Sequence, residues 1–256
     1  MKTTLFRGLL VSALFGMAGC GSSNPPGPKW VQGAQPSRPQ APVEAPAQAL
    51  AKAAPEDVQL DENLTRRNIY LVFDASGSMG DTCKESGRES KIVVAKRALA
   101  NFIGMVPDED NVGLLVFDGR GASERAPLKS GNRRAITQVV NATSPGDGTP
   151  LRAAISIAYK KLQQQMKRQL GYGQYFLVGV TDGEASEGQD PREVVNKITR
   201  ESPVIVYTIG FGIGSNHSLN QPGKTVYREA NNPTDLETGL KGVLAEAEQF
   251  VPTSFK

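Results

Sequence analysis

The sequence predicts an α/β fold: a doubly wound, three-layer sandwich with a mostly parallel central sheet and helices on both faces. Three observations carry this expectation. Four short runs are apolar at every position, the pattern of strands buried on both sides. Amphipathic helical patterns lie between them. The two kinds of segment alternate, and right-handed β-α-β crossovers turn such an order into one sheet. The chain has 256 residues, 39% hydrophobic and 21% charged, an ordinary globular composition.

The first segment does not belong to that sandwich. Residues 1–19 hold Lys2 and Arg7, then a short apolar stretch from Leu9 to Ala18, then small residues. That is the layout of a secretory leader, and the apolar stretch is too short to span a bilayer. Met17-Ala18-Gly19-Cys20 resembles the lipobox of bacterial lipoproteins, with Met17 where Leu is usual. The resemblance implies cleavage before Cys20 and lipidation of its thiol. Gly21 stands where inner-membrane retention in enteric bacteria usually has Asp, which favours the outer membrane. Residues 20–62 follow as the lipidated cysteine and a linker rich in Pro and Ala. Residues 21–60 contain eight prolines and, apart from Trp30, almost no large apolar side chain. Such a segment buries too little surface to offset its ordering entropy. It could reach roughly 120 Å if fully extended as polyproline II.

Residues 63–256 are expected to form one domain. Ile69 to Phe73 is the first buried strand and ends at Asp74. Ile92, Ala95, Leu99, Phe102 and Ile103 mark a helix. Val112 to Phe117 is the second strand. Leu151, Ala154, Ile155, Ala158, Leu162 and Met166 form a helical stripe, with Thr149 and Pro150 as its N-cap and first turn. Tyr175 to Val180 and Val204 to Ile209 are further strands. Thr234 to Glu237 reads as a capping box opening a last helix that runs to about Phe250.

In open α/β sheets, ligands bind beyond the carboxyl ends of the strands. Those ends read Asp74-Ala75-Ser76-Gly77-Ser78 and Thr181-Asp182-Gly183-Glu184, and the loop before Leu151 reads Gly146-Asp147-Gly148-Thr149-Pro150. Three loops thus offer carboxylates and hydroxyls, all hard oxygen donors. Such donors favour Mg²⁺, with Mn²⁺ or Ca²⁺ as alternatives, over zinc or copper. Mg²⁺ also keeps several waters, so few protein ligands leave a position for a foreign carboxylate. Asp147 and Glu184 lie beside these residues as rim candidates or plain surface groups.

The Asp-x-Ser-x-Ser at 74–78, the Thr in Gly-Thr-Pro at 148–150 and the Asp in Thr-Asp-Gly at 181–183 resemble the metal-ion-dependent adhesion site of the von Willebrand factor type A (VWA) family. The resemblance spans about residues 66–251 and all its metal-site positions match. It implies a Rossmann-like VWA fold. It implies that Ser76 and Ser78 ligate the metal directly and Thr149 directly or through water. Asp74 and Asp182 would act mainly through water. A partner protein's exposed Asp or Glu would fill the open position.

Other motifs fail. Gly210-Phe211-Gly212-Ile213-Gly214 has Ser215 where a dinucleotide fingerprint needs glycine, and a polar loop follows it. Gly223-Lys224-Thr225 has Ser218 where a phosphate-binding loop needs its first glycine. No nucleotide is therefore expected. His217 is the only histidine, and no nucleophile elbow accompanies it, so it reads as a solvated loop residue and not a hydrolase base. A net charge of +3 is too weak for a nucleic-acid binder. Cys83 has no intrachain partner if Cys20 is lipidated; burial, an intermolecular disulfide and an exposed thiol all stay open. The expected function is a lipid-anchored module of the bacterial cell envelope that binds a partner's carboxylate through Mg²⁺, without turnover. Two readings compete: a metal-assisted periplasmic hydrolase with Glu184 or Asp147 as base, and a structural envelope lipoprotein whose metal site is unused.

Overall fold

The computed structural model describes residues 58–83 and 86–249. The expected leader, Cys20 and Trp30 lie outside the described residues. Six strands form the sheet: β1 (Arg67–Asp74), β2 (Asn111–Asp118), β3 (Gly121–Lys129), β4 (Gln174–Thr181), β5 (Ile205–Phe211) and β6 (Thr225–Ala230). Five helices cover it: α1 (Lys91–Met105), α2 (Arg133–Ala142), α3 (Leu151–Arg168), α4 (Arg192–Glu201) and α5 (Pro233–Gln249). The strand order is β3-β2-β1-β4-β5-β6. Every neighbouring pair is parallel except β2 with β3.

The period of two in β1 explains the layers. Ile69, Leu71 and Phe73 face a core built with α1, α2 and α5. Tyr70 and Val72 face a second core built with α3 and α4. Both faces are apolar, so the strands read as unbroken apolar runs. The four expected strands are β1, β2, β4 and β5. The edges β3 and β6 were not expected. Each has one neighbour and carries exposed or half-buried residues through most of its length. Pro127 sits in β3, where an edge strand tolerates a missing donor.

Two helix starts differ from expectation. Thr149 does not cap α3; Pro150 flanks the helix and no side chain caps it. The box of α5 lies two residues early, because Asn232 Oδ1 accepts from the Asp235 amide at 2.9 Å. Asp235 Oδ2 in return accepts from the Asn231 amide and from Asn232 Nδ2.

The chain is tied to the sandwich from Asp61. Its amide donates to the Arg168 carbonyl at 2.9 Å, and its carboxylate accepts from Gln165 Nε2 at 2.7 Å. Beneath the sheet, buried Asn68 donates to Gln169 Oε1 and accepts from Asn111 Nδ2. These polar bonds fix the amino ends of β1 and β2. Cys83 is buried and has no disulfide partner among the described residues.

Candidate metal centre

The site grows from the end of β1, the strand between β2 and β4. Asp74 is fully buried. Its Oδ1 accepts from the Ser76 amide at 2.7 Å and its Oδ2 from Thr181 Oγ1 at 2.5 Å. One carboxylate thereby bends the chain after β1 and ties it to the end of β4. The Ala75 amide donates to the Phe117 carbonyl, closing the turn against β2. A short 3₁₀ turn, Gly77–Gly80, follows.

Backbone bonds stitch this loop to the next one. The Gly77 amide donates to the Asp147 carbonyl and the Gly146 amide to the Ala75 carbonyl, each at 2.9 Å. Asp147 adopts a positive φ of 65°, a conformation that Asp tolerates better than most residues. A second stitch reaches the third loop. The Thr149 amide donates to Ser186 Oγ at 2.8 Å, and the Ser186 amide donates to the Thr149 carbonyl at 3.0 Å.

The three loops bring the expected residues together. Ser76 Oγ and Ser78 Oγ are 3.1 Å apart. Ser78 Oγ donates to Asp182 Oδ1 at 2.8 Å. A Cβ on Gly183 would stand 3.5 Å from Ser78 Oγ and 3.7 Å from Thr149 Oγ1. These two hydroxyls therefore flank the small space that the missing side chain leaves. Asp74, Ser76, Thr149 and Asp182 are buried and Ser78 is half-buried.

The donor set is three hydroxyls and two carboxylates from three loops. Among the described residues, no cluster of three or more His, Cys, Asp or Glu side chains could hold a metal. The set is thus all oxygen and low in charge, which fits a hard divalent cation that keeps part of its water shell. Burial pushes the Asp74 carboxyl up to about 6, outweighing the hydrogen bonds from Ser76 and Thr181; the charge of Asp182 adds to the rise. A bound cation would offset the cost of ionising that buried group.

Sequence reasoning missed three contributors. Thr181 orients Asp74, and Ser186 holds the Thr149 loop. Lys91, at the start of α1, places its Nζ 2.7 Å from Asp182 Oδ2. No spacing rule marks Lys91, because the loop between Ser78 and α1 sets the approach.

The rim residues are surface groups. Asp147 is exposed and joins the site through its carbonyl. The Glu184 side chain is 61% exposed. The expectation for His217 is corrected: it is only 6% exposed. Its Nδ1 accepts from the Leu219 amide at 3.1 Å, which leaves Nε2 to donate to the Gly183 carbonyl at 2.9 Å. The ring is buried because it braces the Asp182–Gly183 loop from behind.

The model of the von Willebrand factor type A domain matches residues 68–238. The chain belongs to this family. VWA domains typically act in metal-dependent protein–protein interaction or adhesion. The VWA chain is similar to the uncharacterized protein YwmD of Bacillus subtilis, at 26% identity over 72% of this chain and 86% of that protein. Its fold is also that of manganese-loaded TRAP protein from Plasmodium vivax, with a TM-score of 0.53 and 22% identity over 70% of this chain and 73% of that one. Proximal thread matrix protein 1 from the mussel byssus, with zinc in its metal-ion-dependent adhesion site, gives a TM-score of 0.56 and 18% identity over 72% of this chain and 46% of that one.

The raised Asp74 carboxyl gives a pH dependence. Below about 6 the folded chain holds a proton on Asp74, and a cation must displace it to use the ionised group. Metal affinity should therefore fall with acid, by up to about tenfold per pH unit below 6. Calorimetric titration with Mg²⁺ at pH 5 and pH 7 checks this; equal affinities would contradict it.

Proposed function

We propose that this chain is a metal-dependent binding module that captures an Asp or Glu side chain of a partner protein through Mg²⁺. The observation that carries the reading is the convergence of the Ser76, Ser78 and Thr149 hydroxyls with Asp182 at the carboxyl edge of the sheet. Ser76, Ser78 and Thr149 would hold the ion, and Asp74 and Asp182 would act mainly through its waters. The ion, when bound, supplies an electrophilic position that a partner's carboxylate completes. The hard oxygen set supports Mg²⁺, although Mn²⁺ is the ion in the TRAP structure and zinc in the mussel protein.

Binding without turnover is favoured over hydrolysis by the state of the candidate bases. Both His217 nitrogens are engaged with backbone groups. Asp147 and Glu184 are exposed rim residues. Cys20 would carry the lipid anchor, with the Pro-rich linker holding the domain away from a bacterial envelope membrane, the outer one favoured.

Two experiments test the reading. The full chain, immobilised, is exposed to envelope extract in Mg²⁺, in EDTA, and as Asp182→Ala in Mg²⁺. A protein retained only by the unaltered chain in Mg²⁺ is expected, and equal retention in all three would place the interface elsewhere. For the anchor, Cys20→Ser should move the chain from the membrane to the soluble fraction; an unchanged membrane fraction would contradict lipidation.

A further inference from the structure

We propose that Lys91 sets the charge of the metal centre, weakening its hold on the free cation and strengthening the loaded centre's hold on a partner's carboxylate. The role rests on the metal-dependent reading above. It starts from the way Asp182 divides its two oxygens. Oδ1 accepts from Ser78 Oγ on the side where the hydroxyls gather, and Oδ2 faces Lys91 Nζ at 2.7 Å. The ammonium and a cation among the hydroxyls therefore take different oxygens of one carboxylate. Neither need displace the other.

Lys91 is held for this position. Its amide donates to the Asp81 carbonyl at 2.9 Å, which fixes the start of α1 against the loop. Its stem runs alongside Gly212, where a Cβ would stand 3.6 Å from Lys91 Cε, an ordinary contact distance. The Asp182 carboxylate is fully buried and the lysine side chain is 18% exposed. The pair is thus largely shielded from water, where charges act on each other far more strongly than on an open surface.

The consequence is a charge count. Asp74 and Asp182, both ionised, balance one divalent cation and leave the loaded centre neutral. Lys91 adds a positive charge that those carboxylates do not cancel. A third carboxylate, from the partner, then restores neutrality. The same ammonium repels the incoming cation while the partner is absent. Lysine in place of a neutral residue therefore trades metal affinity for ligand affinity, and it couples the two binding events. A lysine that merely props Asp182 predicts the opposite sign, because its loss would let the carboxylate drift and weaken metal binding.

The test compares the full chain with Lys91→Met, Lys91→Gln and Lys91→Arg. Calorimetry with Mg²⁺ alone, at a pH above 7, reads the cation. Line broadening of the acetate methyl signal by the Mn²⁺-loaded chain reads the carboxylate. Thermal unfolding selects which neutral variant is folded. The neutral variant should bind Mg²⁺ on the order of tenfold more tightly and acetate several-fold more weakly. Lys91→Arg should stay close to the unaltered chain in both. Unchanged or weaker Mg²⁺ binding in the neutral variant overturns the role, as does unchanged acetate binding. An unaltered chain that binds no Mg²⁺ overturns the metal reading itself, a result distinct from either.

Discussion

The site depends on one buried carboxylate. Asp74 ends the strand that lies between β2 and β4, and it takes one hydrogen bond from its own loop and one from β4. Burying a carboxylate costs heavily unless its lone pairs are used. Here the cost is only partly offset, and the carboxyl is driven up to about 6. A cation bound nearby would offset the rest of that cost. Around Asp74, backbone and serine hydrogen bonds stitch the loops at 74–78, 146–149 and 182–186 into one rim.

The rest of the sandwich serves to hold that rim. The buried faces of β1 separate into two apolar cores, one under α1, α2 and α5 and the other under α3 and α4. The polar bonds of Asn68 fix the opposite end of the sheet. His217 braces the Asp182–Gly183 loop, and Lys91 holds the second oxygen of Asp182 at 2.7 Å. Preorganised donors on rigid elements do not have to be ordered when a ligand arrives.

Much of this was legible in the sequence, for physical reasons. Strands buried on both faces must be apolar throughout, so β1, β2, β4 and β5 stood out. The edges β3 and β6 have one neighbour each and lack that constraint, so no apolar run marks them. The candidate site residues were legible because Asp74 and Asp182 stand at strand ends and Thr149 before a helix, where open α/β sheets bind ligands. Thr149 was misread as a cap because Thr before Pro commonly plays that part; in the fold its hydroxyl turns to the site near Gly183. Lys91, Ser186 and the burial of His217 were not legible. Each acts through a loop whose path is set by tertiary packing.

The loops at 74–78, 148–150 and 181–183 are expected to hold one divalent cation. Crystals of the chain soaked in Mn²⁺, measured where manganese scatters anomalously, test it most directly. A single strong anomalous peak bonded to the Ser76 and Ser78 hydroxyls is expected. Ordered manganese at another place on the chain, with no peak beside those hydroxyls, would contradict it.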